Sequence, residues 1–267
     1  MHAPFQRWVA GALLAGAAAL SFAQPAPAPD PTPPEHWAPS WIAPAEPTWD
    51  GDFALPLGMP EHLRDVTLRQ SLRTSVGGDR LRLVLSNEYG RTPLKIGSAH
   101  VALEGNTGGM HATFQGAREV LVAAGAKAVS DPIALRTPAD SRLQDDLYLP
   151  EPSHLVAFHW DARGRTLLLR GDATGRAAPA AATQFATRAF LSAVMVESSR
   201  KPVTVVALGD SITDGNGATP GADRRWPDFL ARRLAPQGVA VLDAGISGNR
   251  LLRGGMGGSA LAPLVRR

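Results

Sequence analysis

The chain has 267 residues, 44% hydrophobic and 19% charged, which is enough apolar material for a sizeable core and too little charge for a disordered chain. The length fits one large domain or two modest ones. Cysteine is absent, which excludes a disulfide framework, a thiolate zinc site and a cysteine nucleophile. The 27 basic and 24 acidic residues leave a formal charge of only +3, and no block of five or more like charges occurs, so nucleic acid gains no support as a partner. Lysine occurs only at Lys95, Lys127 and Lys201, so arginine carries the basicity and lifts the isoelectric point to about 9.8.

The first segment reads as an export signal. Arg7 supplies a positive start, Trp8 to Leu20 is an apolar run of 13 residues, and Ser21-Phe22-Ala23 is a small-x-small cleavage site. As a helix that run rises only about 20 Å, short of the ~30 Å bilayer core. An uncleaved membrane anchor is the alternative, but the expectation is cleavage after Ala23, export to the periplasm or medium, and no stable membrane span afterwards. Gln24 to Glu35, QPAPAPDPTPPE, then forms an extended, proline-rich linker.

Residues 36–198 carry strand signals. Val66 to Arg73 alternates partly between apolar and polar residues, and Arg80 to Ser86 does so more cleanly. Gly77-Gly78-Asp79 between them reads as a hairpin turn. Further runs cover Ile96 to Leu103, Glu119 to Val122, Ile133 to Arg136, Leu155 to Trp160 and Thr166 to Arg170, each bounded by Gly, Pro, Asn or Asp. The spacing predicts an all-β sandwich. Trp37, Trp41, Trp49 and Trp160 offer either stacking faces for a glycan or, as the favoured reading, fillers of the sandwich core.

The texture changes near residue 200. Val203 to Leu208 is a nearly continuous apolar run, as expected of a parallel strand buried on both faces. Arg225 to Leu234 reads as an amphipathic helix with Trp226, Phe229, Leu230 and Leu234 on one face and Pro227 in its first turn. Val239 to Leu242 is a second buried strand, so 199–267 begins an α/β domain.

At the end of its first strand stands Leu208-Gly209-Asp210-Ser211-Ile212-Thr213-Asp214-Gly215. Ligands in open parallel sheets bind beyond the carboxyl ends of strands, which places Ser211 where a reacting group belongs. Ser211-x-x-Asp214 equally fits a variant capping box in which the serine only caps the next helix. A P-loop needs Gly-Lys-Ser/Thr, and no lysine follows Lys201. Gly215-Asn216-Gly217 lacks the third glycine of a dinucleotide fingerprint, since Pro220 occupies its place, and Gly255 to Ala260 does not directly follow a strand. His154 and His159 read as ordinary surface or core histidines, so no cofactor and no metal is expected.

Gly209-Asp210-Ser211-Ile212 resembles the GDSL, or SGNH, hydrolase family of ester-cleaving enzymes. The resemblance extends through Trp226-Pro227 to Ala244-Gly245-Ile246-Ser247-Gly248-Asn249-Arg250, similar to the family's second block. Upstream, Thr67 to Gln70, Gly77-Gly78, Arg82 to Gly90 and Ser130-Asp131-Pro132 are similar to the sandwich that precedes the hydrolase domain in some secreted members. The implied fold class is α+β multidomain: an N-terminal all-β sandwich, then the first β-α-β portion of an α/β/α flavodoxin-like hydrolase domain. The resemblance implies Ser211 as catalytic nucleophile and the N–H groups of Ser211 and Gly248 as oxyanion donors. Asp210 and Asn249 fit loop-shaping neighbours. The substrate class is a small ester or an acylated carbohydrate or lipid.

Two blocks of the family pattern do not occur. No Asn-Asp pair exists to serve as the third block, and all seven histidines (2, 36, 62, 100, 111, 154 and 159) precede Ser211. The only carboxylate-x-x-His is Glu151-Pro152-Ser153-His154, in the sandwich region, which makes His154 the first suspect for a recruited base. The chain therefore reads as an interrupted version of a longer enzyme, inactive as written. Pro263 in the ending Ser259 to Arg267, where relatives continue a helix, points the same way. A glycan-binding sandwich and a non-functional gene fragment are the alternatives.

Export with cleavage after Ala23 predicts that amino-terminal sequencing of the secreted protein begins at Gln24. Membrane-bound material that retains Met1 contradicts it.

Overall fold

A computed structural model describes residues 36–49, 55–106, 108–179, 181–198 and 203–253. The expected leader, the linker and the glycine-rich segment after Arg253 lie outside the described residues.

The first strands are β1 (His36–Ile42), β2 (His62–Leu63), β3 (Val66–Arg73), β4 (Leu81–Ser86), β5 (Leu94–Ile96) and β6 (Ser98–Leu103). There follow β7 (Gly109–His111), β8 (Val120–Val122), β9 (Lys127–Val129), β10 (Arg142–Leu149), β11 (Ser153–His154) and β12 (Phe158–His159). The β-rich part closes with β13 (Thr166–Arg170), β14 (Thr183–Phe185), β15 (Arg188–Ala189) and β16 (Leu191–Ser198). Beyond it come β17 (Thr204–Gly209), α1 (Ser211–Asp214), α2 (Trp226–Leu234) and β18 (Ala240–Gly245).

Two antiparallel sheets, ordered β1-β16-β4-β9 and β14-β13-β3-β10-β6-β7, enclose one apolar core. Leu83, Leu85, Val194 and Val196 from the first sheet meet Leu68, Val101, Leu143 and Leu147 from the second, all fully buried. Burial of each such side chain is worth roughly 1.5–3 kcal/mol, so this core dominates the stability of the β-rich part. Of the four tryptophans, Trp41 lies in the core, Trp49 and Trp160 pack against it, and Trp37 is half-buried. Trp41 is buried beneath the Arg188 guanidinium, Arg82 stacks on Trp37, and Trp49 makes edge contacts with Phe158 and Trp160.

The larger sheet also holds buried charge. Asp146 lies directly opposite Arg69 across the β10–β3 ladder and accepts a bidentate pair of bonds at 2.7 and 2.8 Å. Its neighbour Asp145 lies opposite Gln70 and accepts from the Gln70 amide at 3.0 Å. These matched cross-strand pairs let a strand carrying two carboxylates sit at the centre of a sheet.

Several expected elements differ. The strands flanking Gly77-Gly78-Asp79 are not hairpin partners: β3 belongs to the larger sheet and β4 to the smaller, so this connection carries the chain from one sheet to the other. The glycines serve close packing there, because a Cβ at Gly78 would strike the Glu197 backbone. Ile133 to Arg136 forms no strand and contributes only a bridge between Ile133 and Leu81. The Ile96 to Leu103 run is divided at Gly97 into β5 and β6, and Leu155 to Trp160 shortens to β12.

The expected β-α-β order is present, with β17 and β18 parallel and in register from Thr204↔Ala240 to Gly209↔Gly245. Burial of β17 on both faces is not. Val203, Val206 and Leu208 are 66%, 55% and 47% exposed, because among the described residues β17 has one neighbour only. Trp226 and Phe229 of α2 are likewise exposed, and Pro227 is the buried residue of that helix. The inner strand β18 is sheltered: the Val241 N–H donates to the buried Ser75 hydroxyl at 2.8 Å, so the β-rich part covers its outer edge.

Candidate active site

Ser211 opens α1, immediately beyond the carboxyl end of β17. It is not the cap of that turn. Asp210 is, its carboxylate accepting from the Ile212 N–H at 2.9 Å, which leaves the Ser211 side chain outside the capping arrangement. Ser211 is half-buried, and no hydrogen bond holds its hydroxyl among the described residues.

The turn is packed tightly against the strand ends by two glycines. A Cβ at Gly209 would collide with the Thr213 side chain, and one at Gly245 with the Asp214 backbone. Such a close approach admits no side chain at either position. Gly248 follows in the exposed turn after β18 with φ of 74°, a left-handed conformation suited to glycine. Asn249 donates to the Gly209 carbonyl at 3.1 Å and so ties this second loop to the end of β17, the loop-shaping part expected of it.

The group that organises the site is Asp214, one turn beyond Ser211 and buried. Its Oδ2 accepts from the Ser247 N–H at 3.2 Å and from the Ser247 hydroxyl at 2.9 Å. The Ser211 turn is thereby bonded to the residue preceding Gly248. Its Oδ1 faces His159 Nε2 at 2.9 Å, and His159 Nδ1 lies 2.8 Å from the Pro44 carbonyl oxygen. A carboxylate and a carbonyl can only accept, so both ring nitrogens donate and the imidazole is charged. Burial disfavours that charge, but the Asp214 carboxylate, helped by Glu46, outweighs it and raises the His159 pKa to about 9.

Glu46 completes the cluster. It is buried, its carboxyl lacks a hydrogen bond of good geometry, and burial pushes its pKa up to about 7 against the pull of His159. On the other side, Arg225 ion-pairs with Asp228 and Asp243, each at 3.0 Å, and fixes the start of α2 over β18. Burial raises the Asp243 carboxyl to about 6 despite Arg225. Further out, Arg142 and Arg73 of the larger sheet both reach Asp223, and Arg163 accepts the Gly221 N–H on its carbonyl at 2.7 Å.

His154, the first suspect for a base, is exposed and pairs across β11–β2 with His62. Its sequence partner Glu151 faces Lys95 at 3.3 Å. The histidine that touches the Ser211 turn is His159, which sequence spacing did not single out. Its visible signal was a histidine in the apolar stretch Phe158-His159-Trp160. A charged imidazole with both nitrogens engaged cannot take the serine proton, so His159 holds the turn and is no general base.

Residues 207–265 match the model of the GDSL-like Lipase/Acylhydrolase family, the stretch that contains the end of β17, Ser211, α2, β18 and Gly248. No curated protein matches the chain. Through this segment, and there alone, the chain is similar to the GDSL-like lipase/acylhydrolase family.

The raised Glu46 pKa sets a pH dependence. Because the folded pKa exceeds the unfolded value of 4.5, the neutral carboxyl favours folding below about pH 4.5, and this contribution is lost as pH rises through about 7. Glu46→Gln keeps a neutral side chain at every pH. In thermal unfolding, its stability relative to the parent should therefore rise by about 1–3 kcal/mol between about pH 5 and pH 8. A difference that does not change with pH contradicts the assignment.

Proposed function

We propose that the chain carries the nucleophile and oxyanion half of a serine acylhydrolase site, acting on the carbonyl of a small ester or an acylated carbohydrate or lipid. Ser211 is the nucleophile, and the N–H groups of Ser211 and Gly248 are the donors to the tetrahedral oxyanion. The observation that carries this reading is the Asp214 carboxylate, which joins the Ser211 turn to the Ser247-Gly248 loop inside the segment that matches the acylhydrolase family. A rigid link between nucleophile and donor suits acyl transfer, whose transition state places both about 3 Å from one carbon–oxygen unit. The surrounding segment is the start of a flavodoxin-like α/β/α domain in this proposal, and the chain acts after export.

A serine hydroxyl is a poor nucleophile without an adjacent base, and no histidine follows Ser211 in the 267 residues. The chain as it stands is therefore a weak catalyst. In enzymes with a serine-histidine-aspartate triad, oxyanion donors and binding alone leave about 10³–10⁴-fold catalysis over water, so a sensitive assay is required.

With an aryl acetate, turnover by the 267-residue chain should stay near background, and Ser211→Ala should change it by less than about twofold. Added imidazole supplies the missing base and should restore turnover above that of imidazole alone, with the restored part lost in Ser211→Ala. Equal rescue of the parent and of Ser211→Ala contradicts the nucleophile assignment. Robust Ser211-dependent hydrolysis without imidazole contradicts the absence of a base.

A further inference from the structure

On the face that bears β2 and β11, three side chains with metal-binding atoms converge. His62 and His154 stand directly opposite each other in the two-stranded ladder, with ring centroids 4.6 Å apart and ring planes at 70°, an edge contact. Glu61 precedes His62, and one ligand atom from each of Glu61, His62 and His154 lies within 4.8 Å of the other two. All three side chains are exposed and reachable by an ion.

We propose that Glu61, His62 and His154 form a binding site for a divalent zinc-type cation. The donor set, two imidazoles and one carboxylate, is that of three-ligand zinc sites, which keep further positions for water. Imidazole nitrogen and carboxylate oxygen bind zinc at about 2.0–2.2 Å, so ligand atoms of a tetrahedral site stand about 3.4 Å apart. Side-chain rotations that move each ligand atom by about 1 Å close the present separations to that value.

The backbone beneath is fixed, which is what distinguishes these residues from three surface side chains that happen to be neighbours. Leu63 on β2 and Leu155 just beyond β11 are buried in the core, and the Leu155 N–H donates to the Glu61 carbonyl at 2.8 Å. The two imidazoles are thus presented on a rung whose register cannot slip without exposing two leucines. Each imidazole offers one ring-nitrogen lone pair to a metal ion. Bound metal clips the short β2 segment to β11, a ladder that otherwise has only two residue pairs. Magnesium and calcium, which prefer all-oxygen shells, are poor occupants.

Isothermal titration of the full chain, free of any histidine tag, with zinc chloride tests the site. The expected result is saturable one-to-one binding, a rise in Tm with zinc, and no comparable response to magnesium. His154→Ala and His62→Ala should each weaken zinc binding by at least about tenfold, the loss seen when even an outer partner of a ligand is removed. Glu61→Gln, which keeps the shape of the side chain, should weaken it in the same direction. Because these side chains are exposed, the Tm of each variant without zinc should stay near the parent's. Absence of saturable zinc binding overturns the proposal, as does one-to-one binding that His154→Ala and His62→Ala leave intact.

Discussion

A buried ion pair between His159 and Asp214 joins the β-rich part of this chain to the turn that bears Ser211. His159 ends β12, a two-residue strand at the margin of the sheets, while Asp214 closes α1, and 55 residues separate them. Taking both charges out of water costs several kcal/mol, which their attraction offsets only if the remaining polar atoms are satisfied. Here they are: Pro44 accepts the second imidazole N–H, and Ser247 donates twice to the carboxylate. Removal of either partner would strand the other as an uncompensated buried charge.

The pair has a consequence for chemistry. Asp214 holds three backbone segments at one point: its own turn, the loop before Gly248, and the β12 region through His159. The segment from β17 to β18 has two strands, two short α-helices and one 3-10 turn, too little to enclose a core alone. The described residues compensate by leaning it on the β-rich part, through Ser75 on Val241, Arg73 and Arg142 on Asp223, and His159 on Asp214. The nucleophile turn is fixed from below by groups that do not belong to the α/β segment. The exposed valines of β17 mark the side where the described residues give no such support.

Strands whose polarity alternates were legible from the sequence: β3 spans Val66–Arg73 and β13 spans Thr166–Arg170, as the pattern indicates. The centre of the larger sheet was not, because β10 carries Asp145 and Asp146 and reads as polar. Only the opposed Gln70 and Arg69, 75 and 77 residues away, make those carboxylates compatible with burial. The Gly77-Gly78 connection misled for a related reason: the same dipeptide serves a tight hairpin or a close crossing, and only the packing against Thr137 and Glu197 distinguishes them. At the site, the strand–turn placement of Ser211 followed from the apolar run before it, and the family match over residues 207–265 includes that turn. The roles of Asp214, His159 and Glu46 depend on a contact between distant segments, which neither spacing nor periodicity encodes.

The claim that this pair holds the nucleophile turn to the β-rich part is tested most directly by a double-mutant cycle in denaturant unfolding with His159→Gln and Asp214→Asn. Each single change should cost about 3–5 kcal/mol, since each leaves its partner buried and unpaired. The double variant should cost less than the sum by at least about 1 kcal/mol, the signature of directly coupled groups. Strictly additive costs would show that the two side chains stabilise the fold independently, and the account would then be wrong.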